Sequence, residues 1–261
     1  MALHSGIRAV IFDYGLTLIT FARPEVAVND AYVEIAALIE EALGVAPPPP
    51  SMLLSDVHDR VEIIAAADRR SGQLRELNYV DLYRNALADL GIAADDDLLR
   101  EIFRLEQAAW WQGISLSDGA VVALRDLRQM GVHLGLCSNA VYPASSMQAQ
   151  LEHLELQELF DVVTFSSVVG WRKPARPIFE SALSDLGVAA FEAVMVGDSA
   201  REDIAGAHAM GMQTIRLRQN FDDAMQPETA DLVLDHISDL PRVLRDFRDS
   251  RTVPDSYNWK T

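Results

Sequence analysis

The sequence predicts an α/β protein: a doubly wound, Rossmann-like parallel sheet interrupted after its first strand by a four-helix insert. Three observations lead there. Short apolar segments alternate with helical stretches in the second half of the chain, the order expected of a parallel sheet covered by helices. Those segments are near-continuous runs of Val, Ile and Leu, as burial on both faces of a sheet requires. Between the first and second of them, roughly Phe21 to Gly113, lies a segment with helical periodicity and no convincing strand.

The first strand is "RAVIF" (8–12), and the insert follows it as four helices. "PEVAVNDAYVEIAALIEEALG" puts Tyr32, Ile35, Ile39, Ala42 and Leu43 on one stripe and stops at Gly44, ahead of a connector, "PPPP" at 47–50. "SDVHDRVEIIAAADRR" is the second helix, and "NYVDLYRNALADLG", closed by Gly91, the third. "DDDLLREIFRLEQAAWW" opens on aspartates suited to a helix N-terminus and aligns Leu98, Ile102, Leu105 and Ala109. Strands then recur at "VHLGLC" (132–137), "DVVTF" (161–165), "EAVMV" (192–196), "QTIRL" (213–217) and "DLVL" (231–234). Helical "PASSMQAQLEHLEL", "PARPIFESALSDLG" and "AREDIAGAHAMG" stand between them. The expected boundaries are 1–19 with 114–248 for the sheet domain, 20–113 for the insert, and 249–261 for a polar, flexible tail.

Composition narrows the classes of function. A chain of 261 residues that is 49% apolar can bury a sizeable core. A net charge of −17 and a pI near 4.6 argue against nucleic acid or an anionic membrane as partner, since both need a basic footprint. An anionic substrate then has to be met by local cations or a metal. No apolar run reaches the roughly 18 residues of a membrane span, and Met1 to Arg8 lacks the zoning of a signal peptide. A cytoplasmic setting is expected. The single cysteine, Cys137, forms no internal disulfide and fits a reducing compartment. Only two lysines are present, Lys173 and Lys260, so a mechanism that needs a lysine has little choice.

In a doubly wound sheet the ligand site lies beyond the carboxyl ends of the strands. Strand one delivers Asp13, Gly15 and Thr17 there; the second delivers Ser138 and Asn139; "GWRKP" with Lys173 comes after the third; the fourth delivers "GDSARED" with Asp198 and Asp203. These chemical types suit phosphoryl transfer. Asp13 can attack phosphorus and carry the group as an aspartyl phosphate. Asp198, one oxygen of Asp13 and a backbone carbonyl of the turn are hard oxygen donors of the kind Mg²⁺ prefers. Lys173, the Ser138 hydroxyl and backbone N–H groups near Asn139 can neutralise the phosphoryl oxygens.

"FDYGLTL", "GLCSNA", "VGWRKP" and "VGDSAREDIAGA" resemble, in order, the four motifs of the haloacid dehalogenase-like hydrolase superfamily. The resemblance covers residues 6 to about 240, and the helical insert matches in position and type the mobile cap of the first subclass. It implies Asp13 as nucleophile, Ser138, Asn139 and Lys173 on the phosphoryl group, and Mg²⁺ on Asp13, the Gly15 carbonyl and Asp198. Asp203 would support the metal or Lys173. The implied substrate is a small phosphorylated metabolite, and oligomeric state is not indicated.

One position departs from that pattern. Phosphatases of the family usually carry an aspartate two residues after the nucleophile, and here it is Gly15. The carbonyl survives the replacement; the proton donor does not, and loss of such help typically costs ~10²–10⁴ in rate. The expectation is a phosphohydrolase slow on alkyl phosphates. The alternative from another class is a binding or regulatory protein that keeps the fold. A 2-haloacid dehalogenase is less favoured, because that chemistry usually places an aromatic residue two after the nucleophile and Tyr14 is one after. Read singly, Asp13, Ser138 and Asp203 are helix caps, and Arg23, Arg69 and Arg70 are solvated arginines. His58 and His208 are packing or surface residues, with His58 a candidate for the missing acid. Trp110 and Trp111 are packing residues beside an expected hinge at 113–117, Cys137 is a small apolar residue, and the aspartates at 95–97 and 222–223 are helix starts or turns.

Overall fold

A computed structural model describes residues 6–220 and 229–249. Six parallel strands form one sheet in the order β5-β4-β1-β6-β7-β8: Val162–Phe165, His133–Ser138, Ala9–Phe12, Ala193–Gly197, Gln213–Leu217 and Leu232–Leu234. All six are the strands expected from the sequence. Their order is the doubly wound one, in which the chain builds outward from β1 on one side and then from β6 on the other. Phe12 is in register with both Leu136 and Val196, so the loops that leave β1, β4 and β6 emerge at one edge. Every residue of β1 and β6 is buried, which accounts for their unbroken apolar sequence.

Two short strands were not expected. Ile19–Phe21 (β2) and Ile114–Leu116 (β3) pair with each other where the chain leaves and re-enters the sheet unit. With three residues each, neither is long enough to show an alternating pattern. The chain divides into two compact units, residues 1–20 with 115–139 and 151–261, and residues 21–114 with 140–150.

The second unit is helical. Helix α1 is Glu25–Leu43; α2, Pro50–Leu53, runs through a π-helical segment, Leu54–Asp59, into α3, Arg60–Arg70; α4 is Tyr79–Asp89 and α5 Asp96–Trp110. Gly44 closes α1 in the left-handed conformation that favours glycine. Asn78 and Asp95 cap α4 and α5, accepting from the N–H of Asp81 and Leu98. Tyr32, Ile35 and Ile39 are buried, whereas Ala42 is exposed and Leu43 half-buried, so the stripe ends one turn early. The "PPPP" run is more than a connector: Pro50 occupies the first turn of α2, where its missing N–H costs nothing. Residues 140–150, assigned by sequence to the sheet domain, group with these helices because Val141 joins their core and the Tyr142 ring packs edge-on at 5.1 Å from Tyr79.

The remaining helices, Ala120–Gln129 (α6), Ala144–His153 (α7), Ser166–Val169 (α8), Arg176–Leu186 (α9), Gly206–Ala209 (α10) and Leu240–Asp249 (α11), include those expected between strands. "AREDIAGAHAMG" divides into a π-helical segment, Ala200–Ala205, and the short α10. Among the described residues no helix is long and apolar enough to cross a membrane. The aspartates at 222–223 and the tail from 250 lie outside the described residues.

Candidate active site

Asp13 leaves β1 with its N–H donating to the Val196 carbonyl at 2.9 Å, which fixes it beside the end of β6. Asp198 comes directly after β6. Thr17, fully buried, joins them: its hydroxyl lies 3.2 Å from Asp13 Oδ2 and 3.4 Å from Asp198 Oδ1. Having one hydrogen, it donates to one oxygen at a time. The main chain of Asp198 is held in turn by Arg216, whose Nε donates to its carbonyl at 3.1 Å.

Lys173 comes from the loop after β5 and is buried, 2% exposed. Its Nζ donates to Asp13 Oδ1 at 2.5 Å and to Asp203 Oδ1 at 2.7 Å. Burial works against its charge, but the charges of Asp13 and Asp203 outweigh it and hold the group well above the ordinary lysine range. Asp203 sits in the second π-helical segment, and its other oxygen accepts from the Ser199 N–H at 3.0 Å. A Cβ on Gly197 would stand 2.3 Å from that oxygen, so only glycine leaves room for it. Ser199 itself caps the segment by accepting from the Glu202 N–H.

Three carboxylates and one ammonium therefore meet at the switch point of the sheet. Asp13, Asp198 and Asp203 each bring an oxygen within 4.8 Å of the others. Burial, and then the charge of Asp13, push the Asp198 carboxyl up to about 7; burial likewise raises Asp203, against the pull of Lys173. These are carboxylates short of positive charge.

Ser138 ends β4 at the same edge, 5% exposed, and Asn139 is the next residue. The Asn139 side chain is turned toward the main chain of Lys173 and to Glu202. Gly15 forms a bridge with Ile19 in a turn where Leu16 takes a left-handed backbone. Thus Asp13, Lys173, Asp198 and Asp203, placed at one edge by strand order, do come together. Cys137 is buried in β4, its thiol pushed up to about 12 by burial, and is inert. Arg23 pairs with Asp59 at 2.8 Å, while Arg69 and Arg70 are exposed. Trp110 and Trp111 are half-buried, and Gly113 packs so closely that an added Cβ would lie 1.9 Å from the Ala22 carbonyl oxygen. Sequence reasoning assigned Thr17 no role and missed Glu202. Their only signal was position: Thr17 four residues after Asp13, Glu202 next to Asp203.

The sequence profile of the haloacid dehalogenase-like hydrolases matches residues 7–211. The chain belongs to that family. Among relatives of this hydrolase, a protein named glyceraldehyde 3-phosphate phosphatase from Methanopyrus kandleri is 37% identical over 126 residues, 48% of this chain and 53% of that one. One named phosphoserine phosphatase from Thermus thermophilus is 30% identical over 164 residues, 62% of each chain. The chain thus spans only a little over half the length of such curated relatives. The solved structure of a 2-haloacid dehalogenase from Pseudomonas syringae superposes with a TM-score of 0.65 at 25% identity, covering 92% of this chain and 99% of that one. A divalent cation, of the kind the resemblance implies, fits the hydrolase site: the donors are hard carboxylate oxygens, and two of them, on Asp13 and Asp198, converge on one hydroxyl.

Proposed function

We propose that this hydrolase is a Mg²⁺-dependent phosphatase of small phosphorylated metabolites that acts through an aspartyl phosphate on Asp13. The observation that carries the reading is the buried Lys173 ammonium held 2.5 Å from Asp13, which sets a cation for phosphoryl oxygens directly against the nucleophile. The phosphatase names of the relatives support the reaction class. In the first step an Asp13 oxygen bonds to phosphorus as the bond to the leaving oxygen breaks. In the second, water attacks phosphorus, the P–O bond to Asp13 breaks, and phosphate and the free carboxylate are released. Lys173, the Ser138 hydroxyl and N–H groups near Asn139 hold the phosphoryl oxygens. Mg²⁺, held by Asp13, the Gly15 carbonyl and Asp198, supplies Lewis-acid neutralisation of phosphoryl charge when bound. Asp203 supports the arrangement by fixing Lys173. The helical unit is read as the family's mobile cap, whose loops select the substrate, and the buried cysteine supports a cytoplasmic setting.

A second reading has one observation in its favour. With Gly15 where an acid is usual, the protein could instead be a regulatory module that binds phosphorylated ligands without turnover. Dehalogenation is disfavoured, because Tyr14 is buried and stands one residue from Asp13. The test is hydrolysis of 4-nitrophenyl phosphate and a panel of metabolite phosphates, with and without Mg²⁺, by wild type and Asp13→Asn. Metal-dependent turnover abolished in Asp13→Asn is expected. No turnover with Mg²⁺ still bound would favour the regulatory module, and metal-free release of chloride from 2-chloropropionate would make it a dehalogenase.

A further inference from the structure

We propose that Asn139 is a positioning residue that sets Lys173 through its main chain, and that Glu202 fixes the orientation of the Asn139 amide. The inference rests on the reading of Lys173 as a phosphoryl contact. Asn139 Oδ1 accepts from the Lys173 N–H at 2.7 Å, and Nδ2 donates back to the Lys173 carbonyl at 3.1 Å. The side chain thereby imitates a neighbouring strand and grips one residue at both of its backbone polar groups. Nδ2 also donates to Glu202 Oε2 at 2.9 Å. Both amide hydrogens are used, so the side chain has no donor left for a substrate. Its orientation is unambiguous, because exchanging O and N would set N–H against N–H at Lys173 and oxygen against two acceptors.

Glu202 is itself fixed. Its N–H donates to the Ser199 hydroxyl at 3.1 Å, in the π-helical segment that carries Asp203. The loops after β4, β5 and β6 are thus joined through one amide. The physical need lies in the lysine: a four-carbon stem keeps many rotamers unless both ends are held. Asp13 and Asp203 hold Nζ, at 2.5 and 2.7 Å; Asn139 holds the backbone. Releasing the backbone lets the ammonium shift relative to Asp13, and a misplacement of about 1 Å at a reacting group can cost on the order of 10²-fold in rate.

The experiment compares wild type, Asn139→Ala, Glu202→Ala and Glu202→Gln in the full chain. The readouts are kcat and KM for 4-nitrophenyl phosphate with Mg²⁺, and the acetylation rate of Lys173 by mass spectrometry. With two lysines in the chain, modification at Lys260 normalises the reagent. Asn139→Ala is expected to lower kcat roughly 10- to 100-fold, with KM changing less, and to speed Lys173 acetylation. Glu202→Ala should move both readouts in the same direction, and Glu202→Gln, which keeps an acceptor for the amide, should recover most of the loss. Wild-type acetylation of Lys173 in Asn139→Ala overturns the proposal, whether kcat falls or not. So does a defect confined to KM, the mark of direct substrate contact. Should Asn139→Ala fail to fold, equal behaviour of Glu202→Ala and Glu202→Gln overturns it. If the wild type hydrolyses no phosphate, the proposed activity fails by itself, while the acetylation rates still decide the clamp.

Discussion

At the scale of single residues, Gly15 decides more than its size suggests. Replacing an aspartate by glycine removes a proton donor and leaves a carbonyl, so it separates metal binding from acid catalysis in one substitution. Aryl and acyl phosphates, whose leaving groups scarcely need a proton, should be hydrolysed faster than alkyl phosphates of similar affinity; equal rates would count against the idea. Restoring the acid in Gly15→Asp should raise the rate on alkyl phosphates by up to ~10² or more, and an unchanged rate would show that the proton comes from elsewhere. Asp13, Lys173 and Asp198 were legible in the sequence because each directly follows a strand or lies in the loop beyond one. Thr17 was legible only as a residue of that edge, its reach to both carboxylates depending on the register of β1 against β6. Glu202 was not legible, because a glutamate is ordinary until the loops after β4 and β6 bring Asn139 to it. Asn139 was legible as a site residue, while the direction of its side chain depends on the fold of a loop 34 residues away.

At the scale of elements, the π-helical segments stand out: each seats a buried ionisable side chain, Asp203 in one and His58 in the other. An extra residue per turn re-aims a side chain inward, which periodicity of 3.6 does not foresee. In the helical unit Glu106 Oε1 accepts from His58 Nδ1 at 2.9 Å, from the Tyr83 hydroxyl at 2.8 Å and from the Tyr32 hydroxyl. His58 Nε2 has no partner among the described residues. Burial pulls His58 toward neutrality, but the hydrogen bond and charge of Glu106, with a smaller contribution from Glu62, outweigh burial and nearby Arg23 and raise it above its ordinary 6.5. A histidine whose folded value is raised adds stability that is complete below about 6.5 and is lost as pH rises through the folded value. Wild type should therefore exceed His58→Gln in thermal midpoint by more at pH 6 than at pH 8.5. A difference that is the same at both pH values would sink the idea. Sequence reading found α1, α4 and α5 from their stripes and caps; it misjudged the proline run, because a proline at the first turn looks the same in a connector as in a helix start.

At the scale of the whole molecule the net charge of −17 opposes any anionic substrate, and the local cations must overcome a repulsive field. Raising salt from about 10 mM to about 150 mM shortens the screening length from roughly 30 Å to roughly 8 Å, beyond the reach of most surface charges but not of contacts inside the site. kcat/KM for a dianionic phosphate should rise over that range. A fall would show that attraction by the site reaches farther than repulsion by the surface. The division into two units was legible as a change from strand-rich to helical sequence. The return of residues 140–150 to the helices was not, since it depends on Val141 and Tyr142 finding the aromatic core.

The central position of β1 also has a consequence in time. It leaves the ribosome first, yet its partners β4 and β6 begin at His133 and Ala193, the latter roughly 180 residues later. At ~5–20 residues per second, the fully apolar "AVIF" waits about 10 to 40 s without the neighbours that bury it. The helices between, from α1 to α5, are synthesised during that interval. Until those later strands are made, β1 is an unpaired apolar segment of the kind that exposes a nascent chain to aggregation.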